Sequence, residues 1–221
     1  MAKIIVLMGA PGAGKGTQAR LLQERHCLPQ ISTGDILRAI AETQSPLAAE
    51  VREIQRAGKL VSDDLVVRVV EERTAADDCR DGYILDGFPR TTAQAEMLEQ
   101  LATRQGNDIV AILADVPSDM LEKRMTGRRI CPVGGEIYNI YFKPPRIDLR
   151  CDVHDAHLDH RADDEPEKIR VRLATYAQQT QPVLDYYNRS ARLHRVDGTQ
   201  SPEEIYPAIE AIVSDRGAVA P

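Results

Sequence analysis

Ile4-Ile5-Val6-Leu7-Met8 runs into Gly9-Ala10-Pro11-Gly12-Ala13-Gly14-Lys15-Gly16-Thr17, and then into Gln18-Ala19-Arg20-Leu21-Leu22. Five consecutive apolar residues read as a buried parallel strand, and residues 14–25 read as a helix. The glycines between them let successive backbone N–H groups turn inward with no Cβ in the way. The helix then presents its positive end, and Lys15 reaches the outer groups of a bound phosphate chain. Strand, glycines, lysine and helix in this order predict a phosphate-binding loop, with Gly12, Ala13, Gly14, Lys15, Gly16 and Thr17 as the cradle.

Outward from this loop the chain alternates between two periods. Residues 82–85 and 109–114 are two more short apolar strands, residues 193–196 supply a late strand, and residues 91–104, 118–126, 166–187 and 202–212 read as helices. Alternating β and α predicts an α/β fold, an open parallel sheet with helices on both faces, whose ligands sit beyond the carboxyl ends of the strands. Asp86 falls there, directly after Tyr83-Ile84-Leu85, and so does the arginine-rich region after the 109–114 strand. Two segments break the alternation. Residues 32–61 carry two short helix patterns and no strand. Residues 127–164 are rich in Pro, Gly, Asp and His, and their alternating Ile137, Tyr138, Ile140 and Tyr141 suggest a small β insertion. Otherwise residues 1–221 read as one globular unit, with the Ala/Pro/Val tail expected to be disordered.

The net charge of -6, from 28 basic and 34 acidic residues, disfavours a nucleic-acid partner, so any basic cluster must be local. No apolar run approaches the ~20 residues of a membrane span, and the N-terminal stretch leads to glycines and a lysine rather than a cleavage site. The expectation is a cytoplasmic protein with no membrane partner. Cys27, Cys79, Cys131 and Cys151 are too sparse for a disulfide scaffold.

The loop departs from the commonest form because Gly16 stands between the lysine and the hydroxyl of Thr17. With this variant, and with Gln30-Ile31-Ser32-Thr33-Gly34-Asp35, Leu85-Asp86-Gly87-Phe88-Pro89-Arg90 and Val196-Asp197-Gly198-Thr199, the sequence resembles the nucleoside monophosphate kinases, the adenylate kinase family in particular. The resemblance runs from about residue 3 to 213. It implies reversible transfer of the terminal phosphoryl group of ATP to AMP, with Mg2+ accompanying ATP, in a monomer. It also makes 32–61 a monophosphate-binding subdomain and 127–164 a lid.

Two polyanions repel each other, and arginine suits the task of joining them because its fork pairs with phosphate oxygens and keeps its charge. By the resemblance, Arg38 and Arg90 serve the acceptor, Arg124 and Arg128 the donor, and Arg161 and Arg172 both. Lys15 completes the cationic set, and Asp86 anchors the magnesium mainly through water. Thr33, Lys59, Leu60, Val61, Gly87, Phe88, Pro89 and Gln94 are implied at the acceptor. Ile137, Tyr138 and the backbone near Gln200 are implied beside the donor adenine. From the residues themselves, Ser32 and Asp35 form a capping box, and the Gln94 carboxamide can donate and accept at once, as an adenine edge requires. The acceptor phosphate is largely deprotonated at neutral pH, its second pKa being near ~6, so no general base is expected and none of the five histidines is assigned one.

Cys131, Cys151 and His154 occupy three of the four positions at which some relatives of this type carry a structural zinc. The remaining position is Gly134, which leaves Asp155, His157 or water to complete a set. Zinc, a hydrogen-bonded thiol cluster and a Cys131–Cys151 disulfide are the three readings, and no side chain is assigned as a metal ligand. Rival functions are another monophosphate kinase, with UMP or CMP as acceptor or GTP as donor, and a nucleotide-binding module without turnover. The extended insertion, Thr33 and Gln94 favour AMP, and the Asn-Lys-x-Asp guanine reader common in nucleotide switches is missing.

Overall fold

The side chains of β1 (Lys3–Met8) divide between two apolar layers, Ile4, Val6 and Met8 on one side and Ile5 and Leu7 on the other. This strand is the centre of the computed structural model, which describes residues 2–44, 46–57 and 59–215. The terminal tail, 216–221, lies outside the described residues. Strands β2 (Gln30–Ser32), β3 (Gly82–Asp86) and β4 (Asp108–Asp115) belong to the same sheet. A small antiparallel pair, β5 (Arg128–Ile130) and β6 (Ile137–Asn139), stands apart from it, and β7 (Leu193–Asp197) is the last strand. The five-stranded sheet has the order β2-β3-β1-β4-β7, and every pairing is parallel.

Helices cover both faces, as the alternation predicts. One layer carries α2 (Thr33–Glu42), α4 (Asp63–Thr74), α5 (Thr92–Gln105) and α8 (Gln181–Arg189), through Leu37, Val66, Leu98 and Tyr187. In the other layer, α1 (Lys15–His26), α6 (Ser118–Thr126) and α9 (Pro202–Ser214) bury Leu22, Leu121 and Ile209. Residues 32–61 hold α2 and α3 (Pro46–Arg56), the two short helices expected, and α2 is capped by Ser32 Oγ accepting from Asp35 N at 3.2 Å. The helix expected over 166–187 is interrupted. It runs as α7 (Pro166–Thr175), a π-helical turn over Tyr176–Thr180, and α8.

The 127–164 insertion has its own core of Cys131, Tyr138, Cys151 and Leu158, packed by Ala156. So few apolar side chains bury little area, and at about 25 cal/mol per Å2 a core of this size is marginal without further ties. Among the described residues no helix is long and apolar enough to cross a membrane.

Candidate active site

β1 and β3 lie side by side with Leu7 opposite Asp86, so the glycine loop after β1 and the turn after β3 start at neighbouring strand ends. Gly9, Gly12 and Gly14 have φ of 140°, 86° and 92°, a region that side chains other than glycine rarely occupy. A Cβ on Gly12 would also lie 2.8 Å from Met125 Cγ, so the loop packs directly on α6. Lys15 arcs back over the loop and donates from Nζ to Gly9 O at 2.9 Å and Ala10 O at 3.1 Å. Burial lowers its pKa to about 8, against the pull of Asp86 and with the help of Arg90, Arg172 and Arg128.

Asp86 explains the unusual Gly16. Its Oδ2 lies 3.2 Å from where a Cβ on Gly16 would stand, so the carboxylate hangs over the first turn of α1. Gln30 Nε2 donates to the same oxygen at 3.4 Å, and among the described residues no ion pair occupies Asp86. A carboxylate so placed, beside the glycine loop and within the field of Lys15 and Arg90, has the chemistry of a magnesium anchor.

Beyond the loop lies a cavity of about 720 Å3, lined by Thr33, Arg38, Lys59, Leu60, Val61, Gly87, Arg90, Gln94, Arg161 and Arg172. Each of these was expected at the acceptor. Thr33 Oγ1 donates to Gly87 O at 2.9 Å, and Arg90 Nε donates to the same carbonyl at 2.6 Å. Gly87, with φ of 81°, is a tight point, since a Cβ there would sit 2.8 Å from Arg90 Nη2 and 3.1 Å from Thr33 Oγ1. Phe88 and Pro89 do not line the cavity, contrary to expectation. Phe88 is buried in the core, where it anchors the turn, and the Phe88–Pro89 peptide is cis.

Arg128, Arg172 and Arg161 face carboxylates. Arg128 forms a fork on Asp164, Nε to Oδ2 at 2.7 Å and Nη2 to Oδ1 at 2.5 Å, and Asp164 is fully buried. Arg172 Nη1 reaches the same Oδ1 at 2.9 Å and Asp163 Oδ2 at 3.1 Å. Arg161 lies 3.9 Å from Asp35 Oδ1, across the gap between the 127–164 insertion and α2. Burial, then Arg128 and Arg38, lower its pKa to about 10, with Asp35 and Asp163 opposing. Burial works against ionisation of Asp163, but Arg172, Arg128, Arg38 and Arg161 hold its carboxyl below the ordinary range. Asp163 and Asp164 directly follow Arg161-Ala162 in the sequence, but nothing in that string signals that one is buried as a double acceptor.

On the donor side, Arg124 donates to Gly198 O at 2.7 Å and Thr199 O at 3.1 Å, which ties α6 to the loop after β7. The exposed Gln200 turns its side chain toward Asp197, with Nε2 3.4 Å from Oδ2. The Tyr138 side chain is not free to border a ligand. It is buried in the core of the insertion, and its hydroxyl accepts from Asp152 N at 2.8 Å.

Cys131 and Cys151 are not bridged to each other, and their surroundings differ from expectation. Ligand atoms of Cys131, Glu136, Cys151 and His154 all lie within 4.8 Å of one another. The fourth member is Glu136, not Asp155 or His157. Gly134 is the reason, because a Cβ there would come within 2.3 Å of Glu136 Oε1 and 2.2 Å of His154 Cε1. His154 Nδ1 stands 3.6 Å from Cys131 Sγ, 3.7 Å from Cys151 Sγ and 3.1 Å from Glu136 Oε2. Two matching turns carry the cysteines, with Gly135 N donating to Cys131 O and Asp155 N to Cys151 O, each at 2.9 Å. Arg20 Nη2 of α1 donates to Gly135 O at 2.8 Å, which joins the first turn to the helix of the glycine loop.

Comparison with known proteins agrees with this geometry. The family model described as adenylate kinase matches residues 7–192. A protein of Thermodesulfovibrio yellowstonii named adenylate kinase is 45% identical over 213 residues, covering 96% of this chain and 99% of its own. The adenylate kinase of Clostridium novyi is 44% identical over 206 residues, 93% of this chain and 95% of its own. That of Shouchella clausii is 41% identical over 215 residues, 97% and 99% respectively.

Proposed function

The chain belongs to the adenylate kinase family, and on that premise we propose which of its residues perform the reaction and how. It transfers the terminal phosphoryl group of ATP reversibly to AMP, giving two ADP. The observation that supports the assignment of residues is the convergence of Arg38, Arg90, Arg161 and Arg172 on one cavity beside the loop that holds Lys15.

In this proposal the backbone of residues 12–17 cradles the donor phosphates, and Lys15 swings from Gly9 O and Ala10 O onto their oxygens. Arg124 and Arg128 lie along the donor. Arg38 and Arg90 hold the AMP phosphate, and Arg161 and Arg172 neutralise the charge between the two nucleotides. Asp86 holds the Mg2+ that travels with ATP, whose chemistry is to offset negative charge on the phosphate oxygens. The AMP phosphate attacks directly, in line, with no base and no covalent enzyme intermediate, so catalysis is alignment and charge stabilisation. Residues 32–61 form the acceptor subdomain, and residues 127–164 form a lid that closes the site to water. A cytoplasmic monomer completes the reading, carried by the family resemblance.

The proposal includes a structural zinc in the lid, held by Cys131, Glu136, Cys151 and His154. Tetrahedral bonds of roughly 2.0–2.3 Å place ligand atoms about 3.3–3.8 Å apart, close to the separations found among these four. When bound, the ion cross-links the two turns that carry the small core.

An ADP-release assay over ATP and GTP as donors, and AMP, UMP and CMP as acceptors, tests the reading. AMP with ATP is expected to be fastest, and faster transfer to UMP or CMP defeats it. Lys15→Ala should abolish turnover, whereas a binding module has none to lose.

A further inference from the structure

Gln94 lines the acceptor cavity and is 1% exposed, yet both ends of its carboxamide are already engaged by the protein. Its Oε1 accepts from Arg90 N at 2.7 Å, and its Nε2 donates to Asp63 Oδ1 at 2.7 Å. Asp63, the first residue of α4, does not line the cavity. Its other oxygen accepts from Thr91 Oγ1 at 3.0 Å, and Thr91 caps α5 by accepting from Gln94 N at 3.2 Å. These bonds form a closed circuit behind the pocket wall.

We propose that Asp63 is a positioning residue that fixes the orientation of the Gln94 carboxamide and thereby makes the acceptor site select 6-aminopurine over 6-oxopurine monophosphates. The inference rests on the reading of AMP as acceptor and of Gln94 as the group that meets its base. A carboxylate only accepts, so the carboxamide end against Asp63 is the NH2. A backbone N–H only donates, so the end against Arg90 is the oxygen. One N–H and one oxygen lone pair remain for a ligand. Adenine offers the acceptor N1 beside the donor 6-amino group, which matches that pair. Hypoxanthine offers a donor N1–H beside an acceptor O6, the reverse pattern. An unrestrained carboxamide serves either base by turning half a revolution, but one held by Asp63 and Arg90 leaves a 6-oxopurine facing donor with donor and acceptor with acceptor.

Steady-state kinetics with ATP and either AMP or IMP, on wild type, Gln94→Leu, Asp63→Ala and Asp63→Asn, test this. Asp63→Ala is expected to lower the AMP-over-IMP ratio of kcat/KM by roughly tenfold, more through KM for AMP than through kcat. Asp63→Asn, which keeps an acceptor oxygen for Gln94 Nε2, should restore most of the preference. If Asp63→Ala does not fold, Asp63→Leu fills the volume without an acceptor oxygen and carries the same comparison. A merely bracing role for Asp63 predicts lower stability with an unchanged ratio, and that result overturns the proposal when Gln94→Leu does lower the ratio. An unchanged ratio in Gln94→Leu shows instead that Gln94 does not meet the base, which overturns both the reading beneath the proposal and the proposal with it.

Discussion

Arg128 and Asp164 form a two-pronged ion pair in which the carboxylate has no exposure to solvent and is shared with Arg172. The pair links the start of the 127–164 insertion to its end, just before α7. A charge this deeply buried is tolerated only while its partners are in place.

Asp164→Asn should therefore leave two guanidinium groups facing a neutral side chain, at a cost of about 3 kcal/mol. Calorimetric melting is expected to show a drop of several degrees for a domain of this size. Turnover should fall with it, because Arg128 and Arg172 lose the anchor that aims them. A melting point within one degree of wild type counts against the assignment.

Lys15 yields a prediction about protons. With its pKa lowered to about 8 in the free protein, it is part-neutral at pH 8.5 and charged at pH 6.5. Bound phosphates favour the ammonium, so a two-adenosine, five-phosphate mimic, which has no terminal phosphate titrating near neutrality, should draw in roughly half a proton or more at pH 8.5 and almost none at pH 6.5. Titration calorimetry in buffers of different ionisation heat reads the number directly, and Lys15→Ala should abolish the uptake at pH 8.5.

Gly134→Ala tests the lid. The added methyl would fall within 2.3 Å of Glu136 Oε1, so the carboxylate must leave the cluster. Purified without chelators, wild type is expected to carry about one zinc per chain. The variant should bind zinc at least tenfold more weakly and melt at a lower temperature. A wild-type zinc content near zero removes the metal reading and leaves a thiol–histidine–carboxylate hydrogen-bond cluster.

Gly87→Ala attacks the acceptor arginine through the backbone. Its φ of 81° strains any side chain, and the methyl meets Arg90 Nη2 at 2.8 Å. Displacing Arg90 by about 1 Å should cost on the order of a hundredfold in kcat/KM. Circular dichroism should stay near wild type, since the contact is local.

The sheet was legible because β1, β3 and β4 each carry an unbroken apolar run, and the glycine loop because its residue types come in an obligatory order. β2 went unread. Of its three residues only Ile31 is buried, too short a signal for any period. α4 also went unread, since Val66, Val67, Val69 and Val70 favour a strand by propensity, and only packing against α2 and α5 makes a helix of them. Arg90 could be proposed from Gly87-Phe88-Pro89-Arg90, Arg128 from Gly127-Arg128-Arg129 and Arg161 from Arg161-Ala162-Asp163-Asp164, while Arg124 rested on spacing alone. Their carboxylate partners could not, because nothing in a sequence separates a buried aspartate from a solvated one. Glu136 was missed because metal spacing is counted along the chain, while the space it fills is set by the missing side chain of Gly134. Phe88 and Tyr138 were placed by neighbouring residues, but each faces an apolar core.

Lys15 and Arg161 are both held below their ordinary pKa values, first by burial and then by the positive charge of their neighbours. The site thus gathers like charges at a cost that the phosphate groups of bound nucleotides offset. Thermal endurance and catalysis should pull in opposite directions at these positions. Arg161→Gln is expected to raise the unfolding free energy of the ligand-free chain, by on the order of 1 kcal/mol, while crippling turnover and shrinking the stabilisation that nucleotides confer.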